Sequence, residues 1–147
     1  MPNNSKKTPK LPTHFIAIGA SAGGLEALQE LFEHMPCDSG AGFIVIQHLS
    51  PDFKSVMDEL LSRCTKMPVC VVKDGVLIEA NTVYLIPPRK NMIISQGRLL
   101  LSEQSPQPGM HCPLDVFFAH WPKINNTALW ELYYRALAVT VRAESKT

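Results

Sequence analysis

No apolar run in the sequence approaches the roughly 20 residues that a membrane-spanning helix needs. An excess of one charge is also missing, because 14 basic and 13 acidic residues leave a formal net charge of +1. This balance gives no electrostatic reason to expect binding to nucleic acid or to an anionic membrane surface. The 147 residues therefore predict one globular, soluble domain with no membrane insertion.

Patterns of metal ligands and disulfides are missing too. The four cysteines form no C-x-x-C pair, and His111 and His120 lack companions at a metal-binding spacing. Reduced thiols in a cytoplasmic protein fit this cysteine usage best. The sequence also contains no internal repeat and no low-complexity tract. It therefore predicts neither a metal centre nor a disulfide framework.

What the sequence does contain is an alternation of short apolar runs and amphipathic segments. Residues 14–19, 42–49 and 68–72 have the pattern of buried strands, whereas 25–35 and 52–64 each carry an apolar helical face. Strand, helix, strand, helix, strand is typical of a parallel sheet whose strands are joined by crossover helices. The prediction is a Rossmann-like α/β fold, a doubly wound parallel sheet with helices on both faces.

The later segments are shorter. "TVYLIPP" predicts a strand, "NMIISQGRLLLS" predicts a β-hairpin around Gln96-Gly97, and "LDVFFAHW" predicts a short helix. The tail, residues 123–147, has an Asn-Asn-Thr start signal and an apolar helical pattern, so a helical tail is predicted. Residues 1–13 are predicted to be a flexible polar leader.

The stretch "GASAGG", residues 19–24, joins the first predicted strand to the first predicted helix. It could be a dinucleotide-binding turn, although Ser21 occupies the place of that fingerprint's middle glycine. It also matches the G-x-S-x-G nucleophile elbow, in which Ser21 attacks and the backbone N–H of Ala22 stabilises an oxyanion. The third interpretation is a plain turn with Ser21 as the helix N-cap.

A histidine in the second strand favours the nucleophile. His48 follows Gln47 where that strand ends, and the carboxyl ends of parallel strands lie at one edge of the sheet. Ser21 and His48 could therefore approach hydrogen-bond distance. His48 would take the serine proton and return it to the leaving alcohol. The pair predicts a serine-hydrolase site at this edge.

These segments resemble the CheB-type protein-glutamate methylesterase domain of bacterial chemotaxis. The match rests on "IGASAGGLEAL" and "FIVIQHLSPDFKSVMDELLSR", with "VYLIPPRKNMII" and "CPLDVFFAHW" beyond them, and is closest to forms fused to a CheR-type methyltransferase. The resemblance implies Ser21 as nucleophile, His48 as base and no cofactor. It implies methylated glutamates on the cytoplasmic helices of chemoreceptors as substrate, and a CheR-type methyltransferase as a further partner.

The resemblance covers residues 14–122 and then stops. The family's later G-x-G-x-D-G loop, which supplies the triad aspartate, has no counterpart in the sequence. The aspartates present occupy cap, turn and helix positions, so none is assigned as a third triad member: Asp38, Asp52, Asp58, Asp74 and Asp115. The sequence thus predicts a C-terminally incomplete domain with weak or no activity. Two alternatives stay open: an inactive module that docks on receptors or a methyltransferase, and a gene fragment that folds poorly.

Overall fold

The computed structural model describes residues 8–20, 25–47, 56–104, 113–120 and 135–141. Within these ranges strands and helices alternate along the first half of the chain, as the apolar pattern predicts. The elements in order are β1 His14–Ala20, α1 Leu25–His34, β2 Ala41–Gln47, α2 Met57–Cys64, β3 Val69–Val71, β4 Val76–Leu77, β5 Thr82–Leu85, β6 Lys90–Ser95, β7 Arg98–Glu103, α3 Pro113–Ala119 and β8 Arg135–Val141.

The main sheet has five strands in the order β3-β5-β2-β1-β8, and all of its pairs are parallel. This arrangement confirms the predicted α/β class. All seven residues of β2 are buried, as expected for a strand of a parallel sheet that is covered on both faces. The sheet order also shows that β5, rather than β3, lies beside β2.

One face of this sheet is covered by α1 and α2. Leu28 and Phe32 of α1 and Leu61 of α2 pack in one buried cluster with Phe43 and Val45 of β2. These helical residues recur at the spacing of a single apolar face. The helices pack this face against the sheet because the transfer of apolar side chains out of water is favourable.

The opposite face is covered by α3 together with a smaller antiparallel sheet of order β4-β7-β6. Phe117 of α3 and Met92 and Leu99 of the small sheet pack with Ile44 and Ile46 of β2. Helices therefore do lie on both faces, as predicted, although strands share the cover on this side. The residues of β2 alternate between the two clusters because successive side chains of a strand point to opposite faces.

The predicted hairpin forms between β6 and β7. Its two turn residues have positive φ angles, 50° at Gln96 and 75° at Gly97, and Ser95 pairs with Arg98 across the turn. Two consecutive positive φ values are the requirement of a type I′ turn, which glycine at the second position accepts without strain. The turn chemistry of the sequence was therefore enough to locate the hairpin.

Two predicted helices differ from the structure. The helix predicted from residue 52 begins only at Met57, with Val56 as an N-cap that makes no side-chain capping bond, and Asp52 lies outside the described residues. Residues 135–141 form β8 rather than part of the predicted helical tail. Their sequence contains Val139, Thr140 and Val141, which suit a strand, and pairing with β1 supplies the context that decides between the two states.

Gly42→Ala should destabilise the protein although alanine usually suits a strand better than glycine. A Cβ at this position would lie 2.6 Å from Cγ2 of Ile78 and 3.3 Å from the backbone oxygen of Glu79. Ile78 is fully buried, so it has little room to move. We expect a loss of roughly 1–3 kcal/mol in the free energy of unfolding, the usual cost of overpacking, measured by urea denaturation.

A second substitution isolates this contact. Ile78→Ala removes the crowding atoms, so the double variant Gly42→Ala/Ile78→Ala should lose less stability than the sum of the two single variants. A Gly42→Ala protein that gains roughly 0.4–1 kcal/mol, as unstrained replacements of glycine do, would show that the close approach at Gly42 is not real.

Candidate active site

The predicted catalytic positions follow two strands that end side by side. In the parallel register of β1 and β2, Ala20 is the Cα partner of Gln47, the last residue of β2. Ser21 and His48 are the next residues of the sequence. Ser21, Ala22 and His48 themselves lie outside the described residues. The structure therefore brings together the two chain positions from which the predicted nucleophile and base depart, at the sheet edge where active sites of α/β proteins collect.

The end of β1 is held in a densely packed place. Gly19 lies so close to α3 that an added Cβ would be 2.6 Å from Cδ2 of Leu114 and 3.5 Å from Cε2 of Phe118. Ala20 is completely buried on the side of α1. Packing against α3 is therefore a physical reason for glycine at position 19, besides its place in the G-x-S-x-G pattern. This packing holds Gly19 and Ala20, the last two residues of β1, in place.

Gln47 is a residue of this edge to which the sequence interpretation gave no role. Its side chain is only 7% exposed, and within the described residues its oxygen Oε1 has no hydrogen-bond partner. A buried polar atom without a partner is costly, so native proteins rarely leave one unpaired. The signal available in the sequence was a glutamine that ends an otherwise apolar strand.

Each of the four described aspartates lies in a turn or in the first turn of a helix. Asp74 accepts a hydrogen bond of 2.9 Å from the backbone N–H of Leu101 and so joins a turn to the hairpin. Asp58 and Asp115 lie in the first turns of α2 and α3, where a negative charge is favoured by the helix dipole. Asp38 lies in the turn before β2, at the opposite end of the sheet. These positions agree with structural roles.

A separate groove of about 550 Å³ lies beside β3, β4 and β5. The residues that line it are Pro9, Pro68, Cys70, Val76, Leu77, Glu79, Thr82 and Tyr84. The Tyr84 hydroxyl accepts a hydrogen bond from the backbone N–H of Glu79 at 2.8 Å and donates to the carbonyl oxygen of Leu77 at 3.3 Å. It thereby holds the segment after β4 against β5.

The Cys70 thiol and the Tyr84 hydroxyl, which both line this groove, favour their protonated forms. Burial, and to a smaller extent the negative charge of Glu79, raises the pKa of the Cys70 thiol. Burial also raises the pKa of the Tyr84 hydroxyl. A raised pKa leaves less thiolate at neutral pH, and the thiolate is the nucleophilic form. Cys70 is therefore a poor nucleophile, and the groove does not compete with the edge of β1 and β2 as a catalytic site.

Among the described ranges, no three His, Cys, Asp or Glu side chains are grouped so that they could hold a metal ion. None of the helices described is long and apolar enough to cross a membrane.

Comparison with known proteins assigns this arrangement to a family. Residues 16–129 match the profile of the CheB methylesterase family. A protein-glutamate methylesterase/protein-glutamine glutaminase of Burkholderia orbicola is 34% identical over 119 residues, which are 80% of this chain and 35% of that protein. A protein with the same name from Xanthomonas campestris pv. campestris is 39% identical over 107 residues, covering 70% of this chain and 30% of that protein.

The chain thus spans about a third of the length of these curated relatives. The crystal structure of the Thermotoga maritima CheB methylesterase catalytic domain superposes with a TM-score of 0.65 at 21% sequence identity, covering 86% of this chain and 65% of that chain. This likeness supports the same α/β fold with a parallel sheet and helices. By the extent of the profile match, the chain belongs to the CheB methylesterase family.

Proposed function

We propose that this chain is a protein-glutamate methylesterase domain, a serine hydrolase that removes methyl esters from glutamate side chains. Family membership and the shared name of its relatives support the reaction. The observation that carries the proposal is the register of the sheet, because Ala20 and Gln47 are direct partners. Ser21 directly follows Ala20 in the sequence, and His48 directly follows Gln47. The proposed nucleophile and base therefore each come one residue after a pair of neighbouring strand residues.

In the proposed reaction, Oγ of Ser21 attacks the carbonyl carbon of the ester. The new O–C bond replaces the bond to the methoxy group, and His48 passes the serine proton to that group, which leaves as methanol. The N–H of Ala22 stabilises the negative oxygen of the tetrahedral intermediate. Water then attacks the glutamyl ester, His48 transfers a proton from the water to Oγ, and free glutamate is released. No cofactor takes part.

The proposed substrate is the methylated glutamates of chemoreceptor helices, reached from the cytoplasm. These groups are the ones that a receptor methyltransferase produces, so a CheR-type methyltransferase is the proposed functional counterpart. We also propose a physical association with such a methyltransferase.

A second candidate function is docking without catalysis. The sequence has no G-x-G-x-D-G loop, and the described aspartates have structural positions. In serine hydrolases a carboxylate orients the histidine and supports its positive charge, and loss of this partner lowers turnover roughly 10⁴-fold. A chain without it could still bind methylated receptors or a methyltransferase through the same surface.

Methanol release decides between the two functions. Purified wild-type chain is mixed with a methylated chemoreceptor cytoplasmic fragment, and released methanol is quantified against Ser21→Ala and a protein-free blank. We expect release by the wild type that exceeds the Ser21→Ala level, because the covalent step needs the serine oxygen. Equal release from both proteins, with native circular dichroism in each, would reject the hydrolase and leave docking, which pull-down of the receptor fragment then tests.

A further inference from the structure

The groove of about 550 Å³ beside β3, β4 and β5 has the size of a small-molecule site, but the proposed reaction does not use it. Sites for small molecules usually measure roughly 300–1,000 Å³ and combine apolar walls with a few polar groups. Here Pro9, Pro68, Val76 and Leu77 supply apolar wall. A ligand with an apolar body would therefore meet a complementary surface in this groove.

Hydrogen bonds hold the walls of the groove in place. The Tyr84 hydroxyl joins the backbone N–H of Glu79 to the carbonyl oxygen of Leu77. The backbone N–H of Ala80 donates a hydrogen bond of 2.8 Å to the carbonyl oxygen of Lys10. This bond fixes the segment that precedes β1, which forms one wall. A groove that is already formed loses little conformational freedom when a ligand binds.

The neutral polar side chains of the groove donate their hydrogen bonds within the protein. The Thr82 hydroxyl donates to the carbonyl oxygen of Ala80 at 3.2 Å, and the Cys70 thiol donates to that of Val83 at 3.7 Å. The Tyr84 hydroxyl makes the two bonds described above. The O–H and S–H donors of these side chains are therefore not available to a ligand.

Glu79 is the charged residue that lines the groove. Within the described ranges its carboxylate forms no ion pair, since the ion pair found there joins Lys90 to Glu103. Burial, and in addition the negative charge of Glu79, raises the pKa of the Cys70 thiol, so the field of this carboxylate reaches the interior of the groove. An apolar groove with one negative charge complements a molecule with an apolar body and one positive charge.

We propose that this groove binds a small organic cation, whose apolar body lies against Pro68, Val76 and Leu77 and whose ammonium group pairs with the carboxylate of Glu79. Glu79 is exposed, so the ion pair forms at the rim and neither charge has to leave water completely. The apolar body contributes to binding because it leaves water when it enters the groove. The ligand class is thus that of alkylammonium and arylalkylammonium compounds.

The proposed cation site lies away from the edge at which β1 and β2 end. Pro68 precedes β3, and Thr82 is the first residue of β5, so the groove lies at the amino ends of these strands. All strands of the main sheet are parallel, which places Ala20 and Gln47 at its other end. The inference therefore goes beyond the proposed methylesterase function and does not rest on it.

Titration of the full chain with benzylammonium chloride, followed by NMR of the backbone amides, tests the proposal. Benzyl alcohol is the neutral ligand of nearly the same shape. We expect the ammonium compound to shift the amides of Cys70, Val76 and Leu77, with a dissociation constant on the order of 1 mM, which about eight non-hydrogen atoms can supply. Benzyl alcohol should bind roughly fivefold more weakly, the largest factor expected from an exposed ion pair.

Three variants separate the charge from the apolar wall. Glu79→Gln should weaken binding of benzylammonium roughly fivefold and leave binding of benzyl alcohol unchanged. Leu77→Ala should weaken binding of both ligands, because both lose the same apolar contact. Glu33→Gln is the matched control, since it removes an exposed carboxylate of α1, and it should leave both affinities unchanged.

Several results would overturn the proposal: groove amides that do not respond to benzylammonium, equal affinities of the wild type for the two ligands, or a Glu79→Gln protein that binds benzylammonium as the wild type does. A Leu77→Ala protein with wild-type affinity for both ligands contradicts it as well. The comparison of the two ligands on the wild type decides even if a variant does not fold. Methanol release plays no part in these titrations, so failure of the proposed function would leave their result unchanged.

Discussion

His48→Ala is expected to reduce methanol release to the level of Ser21→Ala. A positioned general base contributes roughly 10²–10⁴-fold to a rate, and without it the serine hydroxyl stays protonated during attack. The two residues act as one unit, so their effects do not add. The double variant Ser21→Ala/His48→Ala should therefore be no slower than either single variant.

Initial rates of methanol release from the methylated receptor fragment measure this effect. His34→Ala is the matched control, because His34 is an exposed histidine in the last turn of α1 whose Nδ1 lies 2.8 Å from the backbone oxygen of Glu30. It should retain the wild-type rate. A double variant that is slower than both single variants by the product of their effects would mean that Ser21 and His48 work independently and form no dyad.

Phe43→Ala is expected to have the largest effect on stability. Phe43 is fully buried in β2, and its ring meets that of Phe32 edge to face, with centroids 5.8 Å apart. Truncation removes this aromatic pair and leaves a cavity between the sheet and α1. Such substitutions cost about 3–5 kcal/mol, against a total of roughly 5–15 kcal/mol for a typical domain. The variant should therefore lose a large part of the free energy of unfolding of the wild type.

The free energy of unfolding, from urea titrations followed by circular dichroism, measures this loss. Leu11→Ala provides the control, because Leu11 is 61% exposed and surface changes of this kind stay within about 0.5 kcal/mol. A Phe43→Ala protein as stable as Leu11→Ala would mean that Phe43 is not at the centre of the core.

Local patterns in the sequence were sufficient for the first half of the fold. The apolar runs at β1 and β2 favour buried strands, since each is short, contains isoleucine and is followed by an amphipathic segment. Gln96-Gly97 located the hairpin because the φ angles of a tight turn restrict the residues that it accepts. The proposal of Ser21 and His48 as a catalytic pair rests on the rule that the carboxyl ends of parallel strands lie at one edge of the sheet.

Other features depend on contacts between distant residues. The pattern of residues 135–141 suits a helix or a strand, and only pairing with β1 selects the strand. β5 lies between β2 and β3 although β3 precedes it in the sequence, because strand order is set by packing rather than by local preference. The burial of Gln47, a polar residue that is 7% exposed, likewise depends on the packing of the folded chain.

The sequence by itself thus determined the fold class and the hairpin, because each depends on local periodicity or turn chemistry, whereas Ser21 and His48 stay a prediction. The tertiary structure decided that residues 135–141 form β8, that Gly19 lies under α3 and that Gln47 is buried without a partner among the described residues. Those features arise where segments that are far apart in the sequence come into contact. The free energy of such contacts cannot be inferred from the local sequence pattern of either segment.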